Sequence, residues 1–165
     1  MNPESMLKGR MAETLFEELI RQSGNIVYRF GYEAIVQNLT QLEEKFDRYS
    51  EVGERIRAIP DFIVIDKAGK PEFVEVKFRW KPELHEDDYK KLEKIEKLWS
   101  PKIVFVNCWE QPYFRISEPP YVKNKKLVTK TLLDEKNWKI DKELYDEYES
   151  LVHRYLTPTL VPPKN

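Results

Sequence analysis

Apolar residues recur at helical spacing through residues 3–22, where Met11, Ala12, Leu15, Phe16, Leu19 and Ile20 share one face at ~100° per residue. Ser23-Gly24-Asn25 marks the stop. Residues 26–30 read as a short strand. Over residues 33–49 the positions Ile35, Leu39, Leu42, Phe46 and Tyr49 return to helical spacing and predict an inserted helix. Residues 50–57 read as a polar connector. Residues 62–65 form an unbroken β-branched and aromatic run, which predicts a strand covered on both faces. The chain turns through residues 67–70 and returns over residues 71–78, with Phe73, Val74, Val76 and Phe78 enclosing Glu75 and Lys77. A helix ending at Trp99 follows Leu84, with Tyr89, Leu92, Ile95, Leu98 and Trp99 recurring at three- and four-residue spacing. Residues 102–109 predict an apolar strand and residues 113–116 a short one. The last helix runs over residues 141–156 behind Asp141 as N-cap, and the proline-containing tail at 157–165 is expected to be disordered.

This order predicts an α/β fold with a mixed central sheet and helices on both faces. A strand, a helix and a strand imply parallel pairing of residues 73–77 with 103–108, beside an antiparallel hairpin. One domain is expected over residues 1–156, with a core at about 7–109 and an extension at 110–156.

Composition narrows the function classes. The net charge of −1 excludes a generic polyanion binder, so any affinity for nucleic acid must come from a local patch. The most lopsided stretch, residues 121–139, includes Lys123, Lys125 and Lys126 and reads foremost as a solvated loop. No apolar run approaches the roughly 20 residues of a membrane helix, and residues 1–10 lack the apolar segment of a secretory signal. Cys108 in an apolar run reads as a core thiol, which suits a cytoplasmic protein. His85 and His153 are too few and too scattered for a zinc cluster.

The central hairpin carries the chemistry. Strand alternation aims Glu75 and Lys77 at one face, and Pro60-Asp61 opens the neighbouring strand. Burying such groups costs several kcal/mol each unless they pair or bind a metal, on the order of the ion-burial penalty. Asp61, Glu75 and Lys77 together therefore suggest a site. An ordinary ion pair on a half-exposed hairpin is the competing account. In the first helix Glu13 lies at the edge of the apolar face with Gly9 one turn earlier, Glu17 lies further round toward solvent, and Glu18 is at the opposite edge.

Pro60-Asp61, Glu75-Val76-Lys77 and Gly9-Arg-Met-Ala-Glu13, on these elements and in this order, resemble the PD-(D/E)xK, restriction-endonuclease-like nuclease superfamily, in particular its archaeal Holliday junction resolvase-type members. The resemblance implies that family's α-β-β-β-α-β core over about residues 7–109, with residues 33–49 inserted and no counterpart after Glu110. It implies Mg²⁺, or Mn²⁺, held by Asp61, Glu75 and the carbonyl of Val76. Lys77 would orient a water or neutralise a developing oxyanion, and Glu13 would serve the metal directly or through water. Arg55, Arg57, Arg79, Trp80 and Lys81 flank the strand ends as phosphate-holding and stacking candidates. The implied activity is hydrolysis of DNA phosphodiesters, with a homodimer left open. The rivals are a non-catalytic nucleic-acid-binding or interaction module that keeps the fold, and an unrelated α/β protein with a structural Glu75–Lys77 pair.

Overall fold

A computed structural model describes residues 2–31 and 47–157. The expected inserted helix falls outside these residues except for positions 47–49, which lead into a turn, and most of the tail also lies outside them.

The first helix, α1 (Pro3–Gln22), starts behind Asn2, whose side chain accepts the Glu4 N–H, and stops at Gly24 with φ of 96°. Strand β1 (Ile26–Arg29) follows. A helix, α2 (Glu51–Arg57), replaces the expected polar connector. Ser50 caps it by accepting the Gly53 N–H at 3.0 Å. Gly53 is required there, since a Cβ would stand 2.1 Å from the Asp47 carbonyl oxygen. Seven residues, of which only Val52 and Ile56 are apolar and one is glycine, carry too little periodicity to announce a helix.

Strands β2 (Phe62–Ile65) and β3 (Pro71–Arg79) form the central hairpin. Helix α3 (Glu86–Leu98) then crosses to β4 (Lys102–Asn107), which pairs with β3 in parallel. Beyond it lie β5 (Phe114–Ser117), the hairpin β6 (Val122–Lys123) and β7 (Lys126–Leu127), then β8 (Lys130–Thr131) and α4 (Lys142–Tyr155). The six-stranded sheet has the order β1-β2-β3-β4-β5-β8, and all its pairs other than β3–β4 are antiparallel. This is the mixed α/β architecture that the pattern predicts. Residues after Glu110 add two strands to the same sheet and one helix against α1.

Strand parity divides the core. Phe62, Val64, Val74, Val76, Val104 and Val106 pack with Phe16, Leu19 and Ile20 of α1 and with Tyr145 and Val152 of α4. Ile103 and Phe105 point the other way and pack with Leu92, Ile95 and Tyr121. β2 departs from expectation: Phe62 and Val64 are buried, while Ile63 and Ile65 are half-buried. Its second face is covered only in part, with Ile26, Tyr28 and Phe73 exposed beside it.

The lysine-rich stretch is more ordered than a solvated loop. Asn124 and Lys125, at φ of 52° and 59°, make the two-residue turn of the β6–β7 hairpin. Tyr121, Leu132, Glu135 and Trp138 are buried along the same stretch, while Lys123, Lys125 and Lys126 are exposed. No described helix is long and apolar enough to cross a membrane.

Candidate active site

Glu75 and Lys77 stand on the α3 side of the sheet, opposite Ile103 and Phe105 in the β3–β4 register. Their side chains pair at 2.9 Å and are 16% and 32% exposed, so the pair is reachable from solvent. Asp61 sits one residue before β2. Its backbone carbonyl accepts the N–H groups of Phe30 (2.8 Å) and Gly31 (3.1 Å), which fixes the end of β1 against it. Its Oδ2 accepts the Val76 N–H at 2.8 Å. In a strand the N–H and C=O of one residue point to the same side. The Val76 carbonyl therefore faces the side where Asp61 lies and β2 has not yet begun.

Glu13 from α1 joins this group. Asp61, Glu75, Lys77 and Glu13 line one cleft of about 720 Å³. Burial pushes the Asp61 carboxyl up to about 8, and the charges of Glu75 and Glu13 add to the rise, against the Val76 N–H and Lys77. Three carboxylates thus gather with their repulsion incompletely compensated, which is a setting that suits a cation. The donor set of hard carboxylate and carbonyl oxygens fits Mg²⁺ or Mn²⁺. Among the described residues, however, no three His, Cys, Asp or Glu side chains are already drawn into a chelating group. Glu75 is turned onto Lys77, and one Asp61 oxygen is held by Val76.

Glu17 does not face solvent. It is 6% exposed and bonds both Arg21 and Arg29 at 2.5 Å. Arg29 also approaches Glu13 at 4.0 Å, so β1 converts the helix edge that looks open on a wheel into a buried ion network.

The cationic flank differs from the expected one. Arg57 lines the cleft, but Arg55 lies over the Trp99 ring at 5.4 Å. Arg79 donates to the Glu83 carbonyl at 2.7 Å and approaches Asp88 at 3.7 Å, which anchors the start of α3 and not the cleft. Trp80 packs edge-on against Phe78 beneath Lys8, and Lys81 is exposed beyond the strand end. None of these three lines the cleft. Lys123, Lys125 and Lys126 lie on the β6–β7 hairpin, where the Tyr89 hydroxyl of α3 bonds the Lys125 carbonyl at 2.6 Å. The cations that do line the cleft include Arg10, Arg29, Lys91 and Lys94, which the sequence reading missed. Lys91 and Lys94 share one flank of α3 at a spacing of three. That spacing was visible, but not that the flank meets the carboxylates. With them the described residues that line the cleft include six cationic side chains and four acidic ones, in a chain of net charge −1.

No protein-family model matches the chain, and no curated protein matches it. Among solved structures it is similar to Hjc, a Holliday junction resolvase from the archaeal hyperthermophile Archaeoglobus fulgidus. The identity is 16%, over 85% of this chain and 88% of that one, with a TM-score of 0.38. No functional reading rests on so loose a likeness.

Proposed function

We propose that this protein is a metal-dependent nuclease that hydrolyses DNA phosphodiester bonds. One observation carries the reading: three carboxylates and a lysine stand inside a cleft whose described lining is net cationic, on a chain of net charge −1. A polyanion is drawn to such a cleft by its local field, and the acidic floor suits a divalent ion. Asp61, Glu75 and the Val76 carbonyl would hold Mg²⁺ or Mn²⁺, with Glu13 beside them. Held there, such an ion would supply a water of lowered pKa and offset charge on the attacked phosphate.

The chain's own groups have separable tasks. Lys77 is a donor only, and it orients the water or neutralises a non-bridging phosphate oxygen. Arg10, Arg57, Lys91 and Lys94 hold the phosphates on either side of the scissile bond. Lys123, Lys125 and Lys126 are further candidates for backbone contact. Alanine at all three should flatten the salt dependence of binding by roughly one unit per lost contact, and an unchanged slope returns them to a solvated hairpin.

A non-catalytic nucleic-acid-binding module is the second reading, favoured by the turn of Glu75 onto Lys77 in place of a chelating group. One assay separates the two. Purified protein is incubated with duplex, branched and single-stranded DNA and with RNA, with Mg²⁺ or Mn²⁺, with chelator, and as Asp61→Asn. Metal-dependent cutting that Asp61→Asn abolishes supports the nuclease. Binding without cutting in any arm supports the module. Sizing the protein in solution addresses the homodimer, and its cellular place is expected to be the cytoplasm.

A further inference from the structure

The cleft contains a carboxylate with no part in the chemistry above. Glu54 of α2 lines it, and bonds Lys94 of α3 at 3.0 Å. The two side chains are 41% and 45% exposed, so the pair is wet and contributes little to stability. Other contacts also seat α2. The Trp99 indole N–H donates to the Arg55 carbonyl at 2.9 Å, and the Arg55 guanidinium lies over the same ring. The N-terminal end of α2 is fixed separately by the Ser50 cap and by the close approach of Gly53 to Asp47. A carboxylate that stands apart from Asp61, Glu75 and Glu13 thus occupies a cation of the cleft.

We propose that Glu54 is an internal competitor for substrate phosphate: it covers Lys94 in the free protein, and an entering phosphodiester displaces it. This rests on the nucleic-acid reading of the same cleft. Lys91, one turn away on α3, remains exposed beside the pair and offers the first contact. Exchange at Lys94 trades one solvated ion pair for another, so it is readily reversible. It raises the threshold for binding: an isolated or weakly charged ligand fails to dislodge Glu54, whereas a backbone already held by Lys91 and Arg57 succeeds. Glu54 is thereby a specificity residue that favours a chain of phosphates over a single one.

The test is equilibrium binding of a short labelled DNA, single-stranded and as its duplex, in chelator so that cutting does not intervene. Wild type, Glu54→Gln, Lys94→Gln and the double variant are titrated from about 50 to about 200 mM NaCl. Glu54→Gln should bind roughly two- to five-fold tighter with an unchanged salt slope, which is the range of an exposed ion pair removed. Lys94→Gln should bind more weakly and lose about 0.9 of slope on duplex. On the Lys94→Gln background the gain from Glu54→Gln should shrink. Inorganic phosphate should compete better against Glu54→Gln than against wild type. Wild type that binds neither DNA form at the lowest salt overturns the nuclease reading and this inference together. Wild type that binds while Glu54→Gln is unchanged or weaker overturns the inference alone, as does a Lys94→Gln slope equal to wild type. Thermal melting should leave Glu54→Gln close to wild type, and a matched loss in both single variants with unaltered binding would make the pair a structural strut.

Discussion

The Asp61 carboxylate accepts the backbone N–H of Val76 at 2.8 Å, and so ties the approach to β2 to the strand that carries Glu75 and Lys77. Structural and chemical roles of Asp61 are therefore separable. Asp61→Asn keeps an acceptor for the Val76 N–H and should hold stability near wild type at about pH 4, where Asp61 is protonated in the fold, while cleavage falls roughly 10²–10³-fold. Asp61→Ala leaves that N–H unsatisfied and should also cost about 1–2 kcal/mol in urea denaturation. Equal stability of the two variants would remove the hydrogen bond from the account.

Asp61 also predicts a pH dependence. Its folded pKa is raised from 3.8 to about 8, by burial first and then by Glu75 and Glu13. Over the window between those values the folded state holds a proton that the unfolded state has lost. Metal-free protein should therefore lose stability as pH rises from about 4 to about 8, and Asp61→Asn should flatten that part of the profile. Denaturation in chelator at several pH values checks this. Since an ion requires the ionised carboxylate, added Mg²⁺ should stabilise most at the alkaline end.

Glu13 and Glu17, one turn apart on α1, should respond differently to the same substitution. Glu17→Gln weakens the bonds to Arg21 and Arg29 in a buried position and should cost about 1–3 kcal/mol. Glu13→Gln should melt near the wild type and need more Mg²⁺ for cleavage. A shifted metal requirement in Glu17→Gln at full stability would exchange the two roles.

Lys102 anchors a second network away from the cleft. It is 11% exposed and meets Glu72 at 2.9 Å, Glu118 at 3.3 Å and Glu135 at 3.4 Å. Glu72 also accepts the Trp138 indole N–H at 2.6 Å. Lys102→Met should destabilise by about 3 kcal/mol, because Glu135 at 2% exposure is left without its nearest cation. Cleavage by the folded fraction should be unaffected. A Tm equal to wild type would show that Lys130, 3.5 Å from Glu135, suffices.

Where periodicity was long, the elements were legible. Ala12, Phe16, Leu19 and Ile20 recur at helical spacing, and α1 spans Pro3–Gln22 as expected. The alternation of Val74, Glu75, Val76 and Lys77 set which side chains share a face before any neighbour was known. Short elements were not legible. α2 has seven residues, one of them glycine, and the β6–β7 turn uses Asn124-Lys125 in place of the usual glycine. Nothing periodic announces either.

The sequence by itself determined the parity of β3, the mixed sheet and the presence of Asp61, Glu75, Lys77 and Glu13 on neighbouring elements. Those are local or near-local properties, governed by a period of two or 3.6 residues. Tertiary structure alone decided that Glu17 is buried, because Arg29 arrives from β1 to meet it. It also decided that Arg79 turns to α3 while Lys91, Lys94 and Glu54 line the cleft. A charged side chain takes its role from partners distant in the chain, and Coulomb energies depend on separation in space, which spacing along a sequence does not encode.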